Sequence, residues 1–396
     1  LFNWQMASIA AGLLAVSFNH VALSRVGTPA VLAIACTVWA LYFLWHALTT
    51  AHIFSYVFSG LLWGLGFYVY GPAMIMPLIA IPLLWAYWKA QEKDVQAGEL
   101  HHAHHVFLQG IGALIVVTIL IAAPILLYFY WNPELFFGPH SLSWFTQAEQ
   151  PLVSLGLGFG KAFEALMYHG DPGWAHNIGG DPLLLWPLGV LFIVGLARSI
   201  WKMWRSYARH GHSSAPQTLV LAWLVVTALP TIFTLGAPIA DWAILMLAPA
   251  LLFVAEALWW LWEAIIVHHG EDKEPEHWTE YHKQFSGRQR LAFATIMVFL
   301  IAIMMTEADR YFNTWATNPL AHQESNERAL TVARQIMTVS QRTNVYVVYP
   351  DTITGRDSIE PLIYLTGTQN SNKVFYVPQP QFKRSAVDKR AVVINP

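Results

Sequence analysis

The chain has 396 residues, of which 56% are hydrophobic and only 12% charged, whereas an ordinary soluble domain carries about 25% charged residues. Such a chain cannot cover its own surface with polar groups in water, which excludes a soluble globular protein. A formal net charge of −2 argues against a basic nucleic-acid binder.

The apolar residues fall in runs near or above the roughly 18 residues that a bilayer-crossing helix needs. About nine spans follow, over 4–21, 29–50, 55–70, 73–88, 107–130, 183–200, 217–235, 242–263 and 291–306. The third and fourth are short and divided only by Tyr70-Gly71-Pro72. Cytoplasmic loops carry an excess of Lys and Arg, and three stretches qualify: 89–105 with Lys89 and Lys93, 198–216 with Arg198, Lys202, Arg205 and Arg209, and 264–290 with Lys273, Lys283, Arg288 and Arg290. The long loop 131–182 holds Lys161 as its single basic residue. With nine spans, the three basic stretches all fall on one side. The other side receives the turns at 20–28, 68–73 and 236–241, the loop 131–182, and everything after about 307.

Beyond the last span, charged and polar residues become common. Residues 321–343 read as a helix with Leu330, Val332, Ala333, Ile336 and Met337 near one face, and 357–365 as a second. Residues 345–349, 374–377 and 391–394 read as short strands. The expected architecture is an all-α polytopic transmembrane bundle over 1–306, including the outer loop 131–182, with a small extracytoplasmic α/β domain over 307–396. The sequence opens at Leu1 rather than Met and shows no signal-peptide pattern, and Pro396 follows directly on a strand-like run. Both ends are expected to lie inside a longer protein.

Cys36 is the lone cysteine and can form no intrachain disulfide, so it carries no redox signal. The tract His101-His102-Ala103-His104-His105 lacks a cysteine or carboxylate cage. It reads as a solvated loop rather than a metal site, and no metal or cofactor is expected elsewhere. Arg25 stands at the outer end of the first span, where a guanidinium either snorkels to the headgroups or binds a lipid phosphate through its planar fork.

The run from Tyr168 to Pro182 crowds Asp171, Trp174, His176, Asn177 and Asp181 into one loop just before a span. Gly and Pro density alone signals turns. An aromatic face with carboxylates and amides beside it is also the surface that holds a sugar ring, whose C–H face stacks while its hydroxyls need partners.

These stretches together resemble the bacterial members of glycosyltransferase family 39, which includes protein O-mannosyltransferases and lipid A aminoarabinose transferases, within the GT-C superfamily. The resemblance rests on residues 20–27, on 59–70 (Ser-Gly-Leu-Leu-Trp-Gly-Leu-Gly-Phe-Tyr-Val-Tyr), and on Ala123-Pro124-Ile125 with 132–136. It continues through the 170–182 loop running into 183–195, and Leu229-Pro230 with Gly236-Ala237-Pro238. It implies a transferase that takes a sugar from a polyprenyl-phosphate donor in the bilayer and passes it to a protein, lipid or glycan acceptor at the outer face of the plasma (inner) membrane, with no nucleic-acid partner. The substrate-binding residues it points to are His20, Ser24, Arg25, Tyr68, Tyr70, Asp171, Trp174, His176, Asn177 and Asp181. Its catalytic carboxylate is expected in an outer loop ahead of Leu1, so no catalytic base is assigned here.

The sequence departs from the family pattern at Pro238-Ile239-Ala240-Asp241-Trp242, at Met74 and Met76, and at Ala175, positions where relatives carry His or Arg. Either Arg25 bears more of the donor phosphate charge or another carrier serves. Two other classes share parts of this pattern. A coupled transporter would place ionisable groups within its spans, where Glu256 stands nearly alone, and a non-catalytic envelope scaffold would have the same topology.

Overall fold

The computed structural model describes residues 3–96, 101–133, 151–210, 214–233, 238–267, 287–324, 327–349, 353–367, 372–382 and 392–394. The chain forms two compact units, Leu1–Asn313 and Thr314–Pro396.

The first unit is a helical bundle: α1 (Trp4–Val16), α2 (Phe18–Val26), α3 (Pro29–Thr50), α4 (Ile53–Val69), α5 (Ala80–Gln96), α6 (His101–Trp131), α7 (Pro151–Met167), α8 (Trp186–His210), α9 (Ala215–Ile232), α10 (Leu247–Val267) and α11 (Gly287–Asp309). A 3-10 stretch, Gly71–Ile79, leads into α5 because Pro72 and Pro77 supply no N–H for a regular α ladder. Short turns at Ala240–Ala243 and Ile244–Met246 lead into α10. Among the described residues, 7 helices are long and apolar enough to cross a membrane, or 8 if the bent pair α1 and α2 counts as one span. The chain is an integral membrane protein.

Lipid tails are as apolar as leucine, so close van der Waals packing rather than hydrophobic burial joins membrane helices, and small residues let backbones approach. Gly60 and Gly64 of α4 do this against α6: a Cβ on Gly60 would lie 2.6 Å from the Leu114 carbonyl, and one on Gly64 2.6 Å from the Ile121 Cβ. Gly195 brings α8 against Phe253 of α10, where a Cβ would stand 1.9 Å from the Phe253 carbonyl. The span containing α10 is 78% buried, which makes it the central helix of the bundle.

Five expectations are corrected. The first span is not one helix: it breaks at Ser17, whose ψ of 127° leaves the helical range, and α1 and α2 meet at 58°. Residues 20–26, read as an outer turn, continue α2, which ends at Gly27 in the left-handed region at φ 78°. The last span does not stop at 306, since α11 runs to Asp309 and continues as a π-helical turn over Arg310–Trp315. The loop 131–182 contains α7, a 17-residue helix. The histidine tract forms the first turn of α6 rather than a loop, because a long apolar helix extends backward over residues with no breaker among them. Residues 134–136, 234–237 and 268–286 lie outside the described residues.

The second unit holds a parallel sheet of order β2-β1-β3, with β1 (Val345–Tyr349), β2 (Val374–Pro378) and β3 (Val392–Ile394). Val345 pairs with Val374 on one side and Val392 on the other. Parallel strands need crossover connections, and helix Ile353–Thr366 supplies the one between β1 and β2. Val345, Val347 and Val374 pack with Ala333, Ile336, Ile359 and Leu362 into the core of this unit. Of the helix expected over 321–343, the structure describes Pro319–Glu324 and Glu327–Ser340 as helical.

Candidate functional site

The break at Ser17 leaves the Phe18 N–H at the start of α2, where a helix has no internal acceptor. The Glu307 carboxylate of α11 accepts it at 2.9 Å. Arg310, one helical step further on, donates to Glu307 at 3.1 Å and to Asp181 of the 168–182 loop at 3.1 Å. Glu307 and Arg310 are 2% and 8% exposed, so each needs the other: a buried charge without a partner costs several kcal/mol. The Asp181 side chain is 45% exposed and is the more open end of this group. At the far end of α2, Arg25 Nη1 donates to the Tyr311 hydroxyl at 2.7 Å. Arg310 and Tyr311 stand in the π-helical turn, a geometry that recurs at functional sites.

The 168–182 loop is closed by its own backbone. Gly170 N–H bonds the Gly180 carbonyl at 2.9 Å, and Gly180 N–H bonds the Asp171 carbonyl at 2.8 Å. A Cβ on Gly170 would meet the Asp181 carbonyl at 2.1 Å, and one on Gly179 would meet the Trp174 indole at 2.8 Å. Asn177, 2% exposed, donates from Nδ2 to the carbonyls of Asp171 and Asp181, both at 2.8 Å. Asp171 Oδ1 accepts Gly173 N–H and Oδ2 accepts Ala240 N–H, each at 2.8 Å. This carboxylate therefore ties the loop to the turn that opens the next span.

That turn meets another. Tyr70, between α4 and the following 3-10 stretch, is pushed above the usual phenol range by burial and then by the neighbouring Asp241 carboxylate, while a hydrogen bond from Trp242 pulls the other way. Asp241 Oδ1 is buried without a hydrogen-bond partner among the described residues. Contacts thus run continuously from Arg25 and Phe18 through 307–311 to Asp181, and through Asp171 to 240–242 and Tyr70.

Of the residues singled out from sequence, Arg25, Tyr70, Asp171, Asn177 and Asp181 belong to this chain of contacts. Trp174 packs over Gly179 inside the loop, and His176 is half-buried beside it. His20 is half-buried and Ser24 exposed on α2. Tyr68 is turned elsewhere, its hydroxyl donating to the Ile121 carbonyl of α6 at 2.9 Å. Glu307, Arg310 and Tyr311 were missed because the last span was ended at 306. Ionisable residues continuing an apolar helix are a functional signal by default, and Glu307 with Arg310 at i and i+3 carried it.

A surface cavity of about 530 Å³ runs along α7, lined by Gly156, Leu157, Gly160, Lys161, Glu164 and Tyr168. Gly156 and Gly160 have open space where a Cβ would stand, so no packing among the described residues requires them. Among the described residues, no group of three or more His, Cys, Asp or Glu could hold a metal ion.

The other end of the bundle differs. Glu256, 3% exposed, accepts from Lys202 at 2.7 Å and from the Ser199 hydroxyl, with Arg198 at 3.9 Å. Lys89 lies over Trp88, Arg205 over Trp201 and Arg198 over Trp260, at 5.2, 4.9 and 5.2 Å. Basic and aromatic residues together mark a membrane interface.

No curated protein and no solved structure gives a significant match to the chain. Residues 1–121 match the family model described as dolichyl-phosphate-mannose-protein mannosyltransferase. The matched stretch includes α2 with Arg25, and Tyr70. At a general level the match supports a membrane glycosyltransferase that uses a polyprenyl-phosphate-linked sugar. Over residues 1–121 the chain is thus similar to the dolichyl-phosphate-mannose-protein mannosyltransferase family, of the GT-C type.

Proposed function

We propose that this protein transfers a sugar from a polyprenyl-phosphate carrier to a protein, lipid or glycan acceptor at the extracytoplasmic face of the plasma (inner) membrane. The observation that carries this reading is Arg25: an exposed guanidinium at the end of a short helix set at 58° to the one before it, within the stretch that matches the family, at the end of the bundle where the polar turns converge. A guanidinium binds phosphate through two parallel N–H···O bonds. A cation on the leaving phosphate stabilises the charge that develops as the sugar leaves. Lateral diffusion in the bilayer delivers the donor, which is why an enzyme with a hydrophilic product carries so many spans.

The orientation rests on the opposite end, where Lys89, Arg198, Lys202 and Arg205 gather with tryptophans; the positive-inside rule makes that end cytoplasmic. Asp171 and Asn177 hold the loop in shape, and Asp181, His176 and Trp174 are the loop residues left to meet the sugar or acceptor. His20 and Ser24 flank Arg25 on α2. No catalytic base is assigned among these residues.

Transfer of radiolabelled sugar from a panel of polyprenyl-phosphate donors, in membranes containing this protein or its Arg25→Gln variant, tests the proposal. Loss of a charge-assisted bond to phosphate is expected to lower transfer by about tenfold or more. Absence of transfer from every donor by well-folded protein would favour the scaffold reading.

A further inference from the structure

Four side chains from opposite ends of the chain stand in one row. The Arg310 guanidinium lies 5.2 Å from the centre of the Phe18 ring. The Phe18 and Tyr311 rings are 6.3 Å apart, and the Arg25 guanidinium lies 5.9 Å from the Tyr311 ring centre. The row runs cation, ring, ring, cation.

Its two ends are balanced differently. Arg310 is buried and shared between the carboxylates of Glu307 and Asp181, so its charge is matched on the spot. Arg25 is exposed, and among the described residues no carboxylate stands within ion-pair distance of it. Its hydrogen-bond partner is a phenol, the Tyr311 hydroxyl at 2.7 Å, on a residue that is 5% exposed. A neutral hydroxyl can fix the direction of a guanidinium without cancelling its charge, which a carboxylate at the same place would do. The ring beneath adds cation–π attraction, and a guanidinium has further N–H donors to offer an outside ligand. The support under Tyr311 is rigid: its neighbour Arg310 is locked by two carboxylates, and Phe18 by the Glu307 cap.

We infer that Tyr311 is a positioning residue, which holds the Arg25 guanidinium aimed and uncompensated so that it can take a lipid-linked phosphate. This rests on the proposed transferase reading. The last span thereby takes part in donor recognition through a residue outside the stretch that matches the family. The same phosphate chemistry would serve a free phosphate ion, and the ligands tested separate the two.

The test uses the full chain, monodisperse in lipid nanodiscs, with direct binding of undecaprenyl phosphate and of inorganic phosphate measured beside sugar transfer. Tyr311→Phe keeps the ring and removes the hydroxyl. It is expected to weaken undecaprenyl phosphate binding about tenfold and to raise KM for the donor alike, with kcat held within about twofold. In an Arg25→Gln background the same change should add nothing to the loss of phosphate binding, because the hydroxyl's inferred effect on that ligand runs through Arg25. Arg25→Lys should not restore binding, since an ammonium cannot bond the phenol and a phosphate as a planar fork does. Inorganic phosphate binding as tight as that of the lipid would overturn the assignment to a lipid-linked ligand. Unchanged binding in Tyr311→Phe, or an equal loss with and without Arg25, would overturn the inference while leaving the transferase reading intact. Failure of the unaltered protein to bind undecaprenyl phosphate or to transfer sugar would overturn both.

Discussion

Phe18 and Glu307, 289 residues apart, are joined by a 2.9 Å bond from the Phe18 N–H to the Glu307 carboxylate. A helix start carries partial positive charge, so an anionic acceptor there is stabilising, and here the cap arrives from another span. Removing it should release α2 and leave Arg310 with Asp181 as its one carboxylate among the described residues. Glu307→Ala is expected to cost about 3–5 kcal/mol, the usual penalty for breaking a buried ion pair, and Glu307→Gln less, because an amide oxygen can still accept from Phe18. Thermal unfolding in detergent with both variants checks this, and equal stability of the two would contradict the capping role.

Asp171 commits both carboxylate oxygens to backbone N–H groups, on Gly173 and Ala240. Asp171→Asn must turn an N–H₂ toward one of those donors, which leaves a donor facing a donor at a cost of about 1–3 kcal/mol. Its transfer activity should fall together with its melting temperature and with the protease resistance of the 168–182 loop. Lost activity at full stability would instead make Asp171 a substrate ligand.

A glycine within the loop and one on the helix before it should respond in opposite ways. Gly170→Ala drives a methyl into the Asp181 carbonyl and should open the loop to proteolysis. Gly156→Ala on α7 meets open space and should leave stability unchanged or raise it by up to about 1 kcal/mol through helix propensity. A destabilised Gly156→Ala protein would mean that something beyond the described residues packs into the α7 groove.

Lys202 reaches the buried Glu256 at 2.7 Å. Lys202→Met should destabilise by about 3 kcal/mol, since it leaves a buried carboxylate short of its nearest cation, and the double variant with Glu256→Gln should recover most of that loss. Urea or thermal unfolding of the single and double variants provides the comparison, and additive losses would show that the pair is not coupled.

The orientation has its own check. In a Cys36→Ala background, Ser24→Cys should react with a membrane-impermeant maleimide added outside intact cells, and Arg209→Cys should react only after the membrane is opened. The reverse pattern would turn the molecule over and end the extracytoplasmic reading.

Much of the bundle was legible because a bilayer demands long apolar runs, and the C-terminal strands because Val345–Tyr349 and Val374–Pro378 are rich in β-branched and aromatic residues. The break at Ser17 was not. No Pro or Gly stands there, and the acceptor that stabilises the broken end is Glu307, far away in sequence. The loop 168–182 was legible as a crowded polar segment, yet the role of Asp171 was not, because its partner Ala240 is a backbone N–H with no sequence signature. Arg25 could be picked out as an interfacial cation. Its partner Tyr311 could not, since a tyrosine at the end of an apolar helix looks like any interfacial aromatic.

The cap on α2 also sets an order of assembly. As the chain is threaded into the membrane from its N-terminus, α1 and α2 enter early, yet the carboxylate that α2 requires and the phenol that holds Arg25 are made only with α11. Until that helix inserts, the opening turn of α2 has no acceptor and Arg25 no hydroxyl to rest on. The Arg25–Tyr311 pair is therefore completed late in biosynthesis, after most of the bundle has formed, and a nascent chain halted before Glu307 would hold the matched N-terminal stretch without the support that α11 gives it.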